Sequence, residues 1–473
     1  YEDLILCVEG RADGIFAENE TVCIDEIKGI YKSLDSLEEP VQVHRAQALC
    51  YGWIYMEAHD LERIDIQMTY GQLDTEEIRR FRETIAREKL EKWYQDLTDE
   101  YYKWVSYQLA WRKERNASME TLEFPFPYRK GQREMVAGVY HAISEEAQIF
   151  IQAPTGIGKT MSAIFPAVRA VGQGKGETVF YLTARTITRT VAEDAFSILR
   201  GKGLHFKSIT ITAKEKMCFC DEMDCDPQKC PYAKGHYDRI NDAVYELWTK
   251  EEAFDRETIL AQAEKYSVCP FEITLDLAVW MDGIVCDYNY VFDPNVYLKR
   301  FFGENIKGKY LFLIDEAHNL VDRGREMYSA SLCKEEIEST RRFVRAHSSR
   351  LYRMLGKAAK QLEVLKEESS SSWQVLENAG TLPVTLLSIQ GEMDKLLEEP
   401  PSQEFVDGIL EFYFAVRDFL NIAELVDENY VTYVSTDEDG KFRMKLFCVN
   451  PAANLQRCLD RGVSTVFFSA TLL

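Results

Sequence analysis

The residues best suited to chemistry form a loop of eight that contains two glycines: Ala153, Pro154, Thr155, Gly156, Ile157, Gly158, Lys159 and Thr160. An apolar run (148–152) precedes the loop and an apolar-periodic segment (161–171) follows it, which predicts a strand, a loop and a helix. The glycines let backbone N–H groups converge on phosphate oxygens at the positive end of that helix. Lys159 is expected to reach the β- and γ-phosphates, and the Thr160 hydroxyl to bind Mg²⁺. The loop therefore predicts a nucleoside triphosphate site.

A second group of charged residues lies near the N-terminus. Residues 8–16 and 22–28 are predicted to be the strands of a hairpin, with Asp13 in the first and with Glu26 and Lys28 on one face of the second. Two carboxylates at one place repel each other unless a divalent cation lies between them. Such a site suits Mg²⁺- or Mn²⁺-assisted phosphodiester hydrolysis, with the lysine positioning or activating the water. The alternative is a salt-bridged hairpin without catalytic chemistry.

A helix predicted over residues 41–57 extends this group, because Gln47 and Tyr51 lie one turn apart on one face. An Asp, a Glu-x-Lys and a Gln-x-x-x-Tyr in this order resemble the RecB-like branch of the PD-(D/E)XK nuclease superfamily. The resemblance implies a metal-dependent DNA nuclease whose site these residues form. His44, one turn before Gln47, is interpreted as an inert residue of the helix surface. The alternative is a degenerate domain that binds DNA or a partner without cutting.

An acidic motif follows a buried apolar run, residues 309–314, in the second half of the chain. Asp315 is expected to hold Mg²⁺, and Glu316 to polarise the water that attacks the γ-phosphate. His318 would couple this site to Ser469-Ala470-Thr471, which follows another apolar run. The order of phosphate loop, Asp-Glu-Ala-His and Ser-Ala-Thr predicts an ATP-hydrolysing motor.

A proline-broken linker, residues 124–132, leads into a helix ahead of the phosphate loop. Arg129 and Gln132 in this linker are placed to read the edge of an adenine base. The alternative is that both residues are part of an ordinary helix start.

Six of the twelve cysteines lie between the phosphate loop and the acidic motif, and five of them fall within residues 218–269. Cys218, Cys225, Cys230 and Cys269 are expected to ligate either a 4Fe–4S cluster or a tetrahedral zinc ion. The sequence has no Cys-x-x-Cys pair of the kind typical of zinc sites, which favours iron–sulfur. Cys220 is a spare that could replace Cys218.

The phosphate loop, the four-cysteine insertion, Asp-Glu-Ala-His and Ser-Ala-Thr resemble, in this order, the XPD/DinG family of superfamily 2 iron–sulfur helicases. The resemblance covers residue 124 to the end of the chain. It implies ATP-driven 5′→3′ translocation on single-stranded or forked DNA, in DNA repair or processing. It also implies a second RecA-like domain with an arginine finger, which is expected to be missing because the chain stops at Leu473. The sequence is thus expected to be a fragment.

The elements that position these residues predict an α/β fold in two parts. Residues 1–120 are predicted to be an N-terminally incomplete PD-(D/E)XK-like α/β domain, in which residues 74–116 form one or two charged helices. Residues 121–473 are predicted to be a RecA-like P-loop motor domain. It would carry an iron–sulfur insertion at 205–285 and a helical, arch-like insertion at 321–440.

Composition narrows the classes of protein that fit. Of the 473 residues, 46% are hydrophobic and 28% are charged, as in ordinary globular proteins. The net charge of −22 argues against a general polyanion binder, so DNA contacts must come from local basic and aromatic surfaces. No apolar run reaches the ~18 residues of a membrane span and no signal peptide opens the sequence. A cytoplasmic location is predicted.

Overall fold

The computed structural model describes residues 4–18, 21–31, 33–184, 186–221, 223–303, 306–369, 371–398 and 400–472. The chain divides into two compact units. The first contains residues 1–107, 340–355 and 387–413, and the second contains residues 108–339, 356–386 and 414–473.

The N-terminal elements form a four-stranded sheet with one helix packed on it. Their bounds are β1 Gly14–Glu18, β2 Thr21–Ile30, α1 Gln42–Ala58, β3 Arg63–Gln72, β4 Ile78–Ala86 and α2 Arg87–Glu120, with a short 3-10 helix at Leu34–Ser36. The strand order is β1-β2-β3-β4, and α1 makes the crossover between the parallel strands β2 and β3. Leu49 and Met56 of α1 share a buried core with Ile66 and Met68 of β3. This packing fixes which face of α1 lies over the sheet.

Two sequence predictions for this region are wrong. Asp13 lies just before β1 instead of within it, because the ladder begins at Gly14 opposite Asp25 and the Asp13 carboxylate accepts the Ile27 N–H at 2.9 Å. The predicted helix over 74–116 begins at residue 87, after strand β4. Alternate residues of β4 face the core, and its many charges conceal that period of two.

The remaining elements follow in chain order. Between residues 132 and 315 they are α3 Gln132–Ser144, β5 Gln148–Gln152, α4 Lys159–Gly172, β6 Thr178–Leu182, α5 Thr186–Arg200, β7 Ser208–Thr210, α6 Lys214–Met217, α7 His236–Lys250, β8 Ala253–Phe254, α8 Arg256–Tyr266, α9 Pro270–Ala278, β9 Gly283–Cys286, α10 Asn289–Phe292, α11 Lys299–Phe302 and β10 Tyr310–Asp315. After these come α12 Asn319–Met327, β11 Ala330–Cys333, α13 Lys334–Val344, α14 Ser349–Glu368, β12 Trp373–Leu376, α15 Leu382–Glu398, α16 Gln403–Ala423, β13 Tyr430–Thr436, β14 Phe442–Cys448, α17 Ala452–Leu459 and β15 Ser464–Ser469.

Seven of these strands form a parallel sheet in the second unit, which confirms the α/β class. The order is β5-β15-β10-β6-β9-β7-β8, and every adjacent pair is parallel. The central strands are apolar throughout because helices cover both faces of such a sheet. Since parallel strands end at the same edge, the loops that follow β5, β10 and β15 meet there. These are the three loops in which the sequence predicts motor chemistry.

The insertion predicted as helical over residues 321–440 also contributes strands, so that prediction is partly wrong. Four strands form an antiparallel sheet of order β11-β14-β13-β12. β13 and β14 alternate buried and half-buried residues, a period of two that predicts half-buried strands. The chain reverses between them through Gly440, whose φ is +79°. Among the described residues, no helix combines the length and apolarity needed to cross a membrane.

Candidate functional site

The phosphate loop connects the end of β5 to the start of α4, as the sequence predicts. Gly156 and Gly158 have φ values of +83° and +86°, in the left-handed region where residues with a Cβ are strained. A Cβ at Gly158 would also lie 2.8 Å from the Gln132 side-chain nitrogen, whereas a Cβ at Gly156 would meet no atom within 4 Å. The backbone of the loop therefore requires glycine at both positions, and packing requires it at Gly158 alone.

Arg129 and Gln132, the predicted adenine readers, lie beside this loop. The Gln132 side-chain oxygen accepts the Arg129 backbone N–H at 3.0 Å, and the Arg129 guanidinium donates to the Gly156 carbonyl. Gln132 is almost fully buried. Both side chains thus brace the loop, which is compatible with a base bound next to them.

The two predicted Mg²⁺ ligands of the motor, Thr160 and Asp315, are joined through a tyrosine that sequence reasoning missed. The Tyr181 hydroxyl lies 3.3 Å from Thr160 Oγ1 and donates to Asp315 Oδ2 at 2.6 Å. Burial raises the pKa of Asp315, which the Tyr181 bond and the charge of Lys159 partly offset. A bound cation would favour the ionised carboxylate in the same way as Lys159 does.

Glu316, His318 and Ser469 form a second connected group at the same edge of the sheet. Ser469 Oγ donates to Glu316 Oε2 at 3.2 Å and lies 2.7 Å from His318 Nδ1. Because the serine has one hydroxyl hydrogen, His318 Nδ1 is the donor in that contact. The predicted coupling residue and the Ser-Ala-Thr motif are therefore in direct contact, across 151 residues of sequence.

The backbone at the acidic motif is strained. Glu316 has a φ of +51°, which is unusual for a residue with a side chain. The buried Tyr288 hydroxyl donates to the carbonyl oxygens of Asp315 and Glu316, the latter at 3.1 Å, and holds this turn. Tyr181 and Tyr288 each lie in or beside an apolar run. A tyrosine near the end of a predicted strand is therefore the only, weak, sequence signal for their roles in the site.

The four predicted cluster ligands, together with Cys220, line one cavity of about 250 Å³ in the second unit. The sulfur atoms of Cys220 and Cys230 lie 4.0 Å apart. Among the described residues, no three His, Cys, Asp or Glu side chains lie close enough together to hold one metal ion. A shared cavity lined by thiols from four chain segments nevertheless has the donor chemistry that an iron–sulfur cluster requires.

A larger cavity, of about 640 Å³, lies next to the cysteine cavity and shares Lys214 and Phe271 with it. Its lining is cationic and aromatic, with the two carboxylates Glu215 and Asp287. Asp287 accepts from Arg189 and Arg323, each at 3.3 Å. The cationic residues of the lining are Arg189, Lys214, Lys299, Arg300 and Arg323, and the aromatic residues are Phe271, Tyr290, Tyr297 and Phe301.

In the first unit, the predicted nuclease residues are brought together by side-chain contacts. Lys28 Nζ donates to Glu26 Oε1 at 2.5 Å and to Gln47 Oε1 at 3.3 Å. Gln47 Nε2 in turn donates to the Tyr51 hydroxyl at 3.1 Å. Asp13 lies at the same place, because its carboxylate binds the N–H of Ile27 between the two charged residues of β2.

In this group, one carboxylate oxygen of Glu26 has a charged partner and the other does not. The hydrogen bond from Lys28 to Glu26 raises the pKa of the lysine. The other oxygen of Glu26, Oε2, is buried and has no hydrogen-bond partner among the described residues. A buried carboxylate oxygen without a partner is costly unless a cation occupies the space beside it. Asp13 and Glu26 supply two carboxylates, the donor type that a divalent metal ion prefers, but among the described residues they are not part of a group of three that could hold one.

Comparison with known families finds helicase sequence in the middle of the chain. Residues 129–251 match the DEAD/DEAH box helicase family, and residues 205–337 match the DEAD_2 family. Both matches begin after residue 128, so the first 128 residues lie outside them.

Individual relatives cover parts of the same region. The Fanconi anemia group J protein homolog of Gallus gallus is 33% identical over 90 residues, which are 19% of this chain and 7% of that protein. The regulator of telomere elongation helicase 1 of Bos taurus is 21% identical over 327 residues, covering 58% of this chain and 26% of that protein. The chain thus spans about a quarter or less of the length of these relatives.

Solved structures show a likeness at the level of the chain trace. One described as truncated XPD is 18% identical, with a TM-score of 0.47, over 72% of this chain and 93% of that one. Another, described as an XPD helicase, is 16% identical, with a TM-score of 0.46, over 73% of this chain and 59% of that one.

Proposed function

We propose that the protein is an ATP-driven DNA helicase of the XPD/DinG type that also carries a metal-dependent nuclease site in its N-terminal domain. The helicase part is supported by the family matches over residues 129–337 and by the geometry at the edge of the parallel sheet. Lys159 would bind the β- and γ-phosphates, and Thr160 and Asp315 would hold Mg²⁺. Glu316 would polarise the attacking water.

One observation carries the motor proposal: His318 Nδ1 lies 2.7 Å from Ser469 Oγ, and that hydroxyl donates to Glu316. A structural change at Glu316 during ATP hydrolysis can therefore reach the Ser-Ala-Thr segment through the hydrogen bonds of Ser469. A change in the hydrogen bonding of Glu316 during turnover would alter the bond that Ser469 makes. A protein that merely binds nucleotide has no need of this connection.

The test is stimulation of ATP hydrolysis by single-stranded DNA in the full-length protein. We expect the wild type to be stimulated, and His318→Ala to retain ATP binding while it loses most of the stimulation. Equal stimulation of wild type and variant would mean that the His318–Ser469 contact plays no part in coupling.

Single-stranded DNA would bind at the 640 Å³ cavity, where cationic side chains suit phosphates and aromatic rings suit bases. Lys299 and Arg300 are exposed at this cavity. Replacing both by alanine should weaken binding of a labelled oligothymidylate about tenfold and reduce its salt dependence. Lys202→Ala, an exposed lysine outside the cavity lining, is the matched control and should bind as the wild type does.

Cys218, Cys225, Cys230 and Cys269 would hold a 4Fe–4S cluster, with Cys220 as an additional thiol in the same cavity. The bound cluster would fix the fold of the insertion between β7 and β9. Iron and acid-labile sulfide in protein purified without oxygen test this assignment. Zinc in place of iron would identify the alternative, a structural zinc site.

The nuclease part of the proposal is supported by the buried Glu26 Oε2, which has no hydrogen-bond partner in the described part of the chain, and by the contacts that join Glu26 and Lys28 to Gln47 and Tyr51. Asp13 and Glu26 would hold Mg²⁺ or Mn²⁺, which supplies a nucleophilic hydroxide when bound. Lys28 would orient the water or the phosphate, and Gln47 would hold Lys28 in place.

Cleavage of single-stranded and forked DNA by the full-length protein, with Mg²⁺ and with a chelator, tests this part. We expect cleavage that depends on the metal and does not need ATP. Metal-independent DNA binding without any cleavage would instead identify the N-terminal domain as a non-catalytic DNA-binding module.

A further inference from the structure

His44 of α1 has contacts that set it apart from an inert helix-surface residue. Its imidazole is half-buried, and Nδ1 lies 3.2 Å from the Tyr70 hydroxyl. Tyr70 belongs to β3, and its Cα partner in the parallel ladder is Lys28 of β2. One turn along α1, Gln47 accepts a hydrogen bond from that same lysine. One part of the proposed nuclease site is therefore lined by four residues: His44, Tyr70, Lys28 and Gln47.

The hydrogen bonds of Tyr70 determine which nitrogen of His44 carries the proton. The Tyr70 oxygen accepts the Val41 N–H at 3.0 Å, so its single hydroxyl hydrogen is free to be donated. Within the described part of the chain, His44 Nδ1 is the acceptor in reach of that hydrogen. When one ring nitrogen accepts, the neutral ring carries its proton on the other, which here is Nε2.

The charge state of the ring agrees with this tautomer. Burial, reinforced by the positive charge of Lys28, lowers the pKa of His44, and Glu26 opposes this effect. At neutral pH the ring is therefore uncharged and carries one N–H donor, at Nε2, and Lys28 lies close enough for its charge to act on the ring.

We propose that His44 Nε2–H donates a hydrogen bond to a non-bridging phosphate oxygen of a DNA strand bound at the Asp13–Glu26 site, with Tyr70 as the residue that fixes its tautomer. This inference rests on the proposed nuclease function and adds to it a phosphate contact on α1. The contact places the scissile phosphate between Glu26 of β2, one of the two proposed metal ligands, and the N-terminal end of α1. A neutral donor suits this position because Lys28 already supplies a positive charge.

Two substitutions separate this role from a purely structural one. In His44→Gln the amide nitrogen can occupy the place of Nε2 and keep a donor there, but it loses the acceptor for Tyr70. In His44→Asn the side-chain oxygen can occupy the place of Nδ1 and keep the Tyr70 bond, but it loses the donor toward the phosphate. A phosphate contact therefore predicts that Gln is tolerated and Asn is not, whereas a structural bond to Tyr70 predicts the reverse.

The experiment measures kcat/KM for Mg²⁺-dependent cleavage of a 5′-labelled single-stranded oligonucleotide by the full-length protein, with thermal unfolding as the control for folding. We expect His44→Asn and His44→Ala to lose activity roughly 10- to 100-fold, as for loss of one hydrogen bond to a charged group, and His44→Gln to lose less than about fivefold. Loss in His44→Gln with activity retained in His44→Asn would overturn the proposal, as would wild-type activity in all three variants. If the wild type itself does not cleave, the nuclease function fails first and the role of His44 fails with it.

Discussion

The two candidate sites of this chain are assembled in opposite ways. The motor site draws Lys159, Asp315 and Ser469 from distant parts of the sequence and aligns them through the backbone ladder of a buried parallel sheet. The N-terminal site lies within residues 13–51 and is held by side-chain hydrogen bonds around the inner strand β2 of a small sheet. In the first case the fold determines the geometry, whereas in the second the side chains largely determine it themselves. Point substitutions should therefore separate the two activities completely.

The largest effect is expected at the phosphate loop. Lys159→Ala removes the cation that contacts the β- and γ-phosphates, so ATP hydrolysis should fall at least about 100-fold. Metal-dependent DNA cleavage should stay at the wild-type level, because none of the described helices and strands contributes to both sites. Steady-state phosphate release and a cleavage assay on the same preparation measure both. Loss of cleavage in this variant would break the separation of the two sites.

Next in size is the loss of the N-terminal carboxylates. Asp13→Asn keeps an acceptor for the Ile27 N–H and removes the charge, while Glu26→Gln removes the buried acid itself. Each should reduce cleavage about 100-fold without changing ATP hydrolysis, since a metal ligand is lost. Asp25→Asn is the matched control, because Asp25 bonds to Gln67 and Thr69 away from this group. A variant of Asp13 or Glu26 that cleaves normally would make the hairpin structural.

A smaller effect, on the amount of bound iron, is expected at the cysteine cavity. Cys230→Ser should lose most of the bound iron, whereas Cys220→Ser should retain it if Cys220 is the spare thiol. Iron and sulfide content per chain measures the difference. If Cys230→Ser retains iron and Cys220→Ser loses it, Cys220 is the ligand and Cys230 is the spare thiol. The test is needed because the two sulfur atoms lie only 4.0 Å apart.

A modest effect is expected at the tyrosine between the motor's metal ligands. Tyr181→Phe removes the hydrogen bond to Asp315 and leaves the ring in place, so the KM for Mg-ATP should rise about fivefold, which corresponds to about 1 kcal/mol. Tyr310→Phe, on the neighbouring strand but outside these contacts, should leave KM unchanged. An unchanged KM in Tyr181→Phe would mean that Asp315 is positioned by the backbone alone.

The last comparison concerns the stability of the fold instead of its activity, and it uses two lysines whose pKa values move in opposite directions. Burial lowers the pKa of Lys207 to about 8, whereas the bond to Glu26 raises that of Lys28. A buried cation disfavours folding, so the free energy of unfolding should rise between pH 8 and pH 10 as folded Lys207 loses its proton first, by at most about 1.4 kcal/mol per pH unit. Lys207→Met should flatten this rise in urea unfolding, and Lys28→Met should not. An equal slope in wild type and Lys207→Met would contradict the assignment.

Much of the motor could be predicted because its sequence signals are local. The strand over residues 148–152 and the strands that end at Asp315 and Ser469 are confirmed within a residue, since each is an apolar run followed by a polar motif. The missed residues act through tertiary contacts. Tyr181 looks like a core residue until β6 is placed beside β10, where its hydroxyl reaches Asp315.

In the N-terminal region, by contrast, several features could not be predicted from local sequence signals. The sequence predicts a set of charged residues whose side chains the structure brings together, but it predicts helix for β4 because charges conceal the alternation of that strand. It also places Asp13 inside a strand that begins one residue later. His44 was interpreted as inert because its partner, Tyr70, lies 26 residues away on a different element. The structure of β4, the position of Asp13 and the role of His44 all depend on contacts between elements, which the periodicity of a single element does not reveal.

The most direct test of two separate metal–phosphate sites is anomalous diffraction from crystals of the protein grown with Mn²⁺ and a non-hydrolysable ATP analogue. We expect one manganese peak between Thr160 and Asp315, with the analogue's phosphates at Lys159, and a second peak between Asp13 and Glu26. A peak at the motor alone, with Glu26 still bound to Lys28 and no metal beside it, would contradict the nuclease half. Phosphates bound away from Lys159 would contradict the whole.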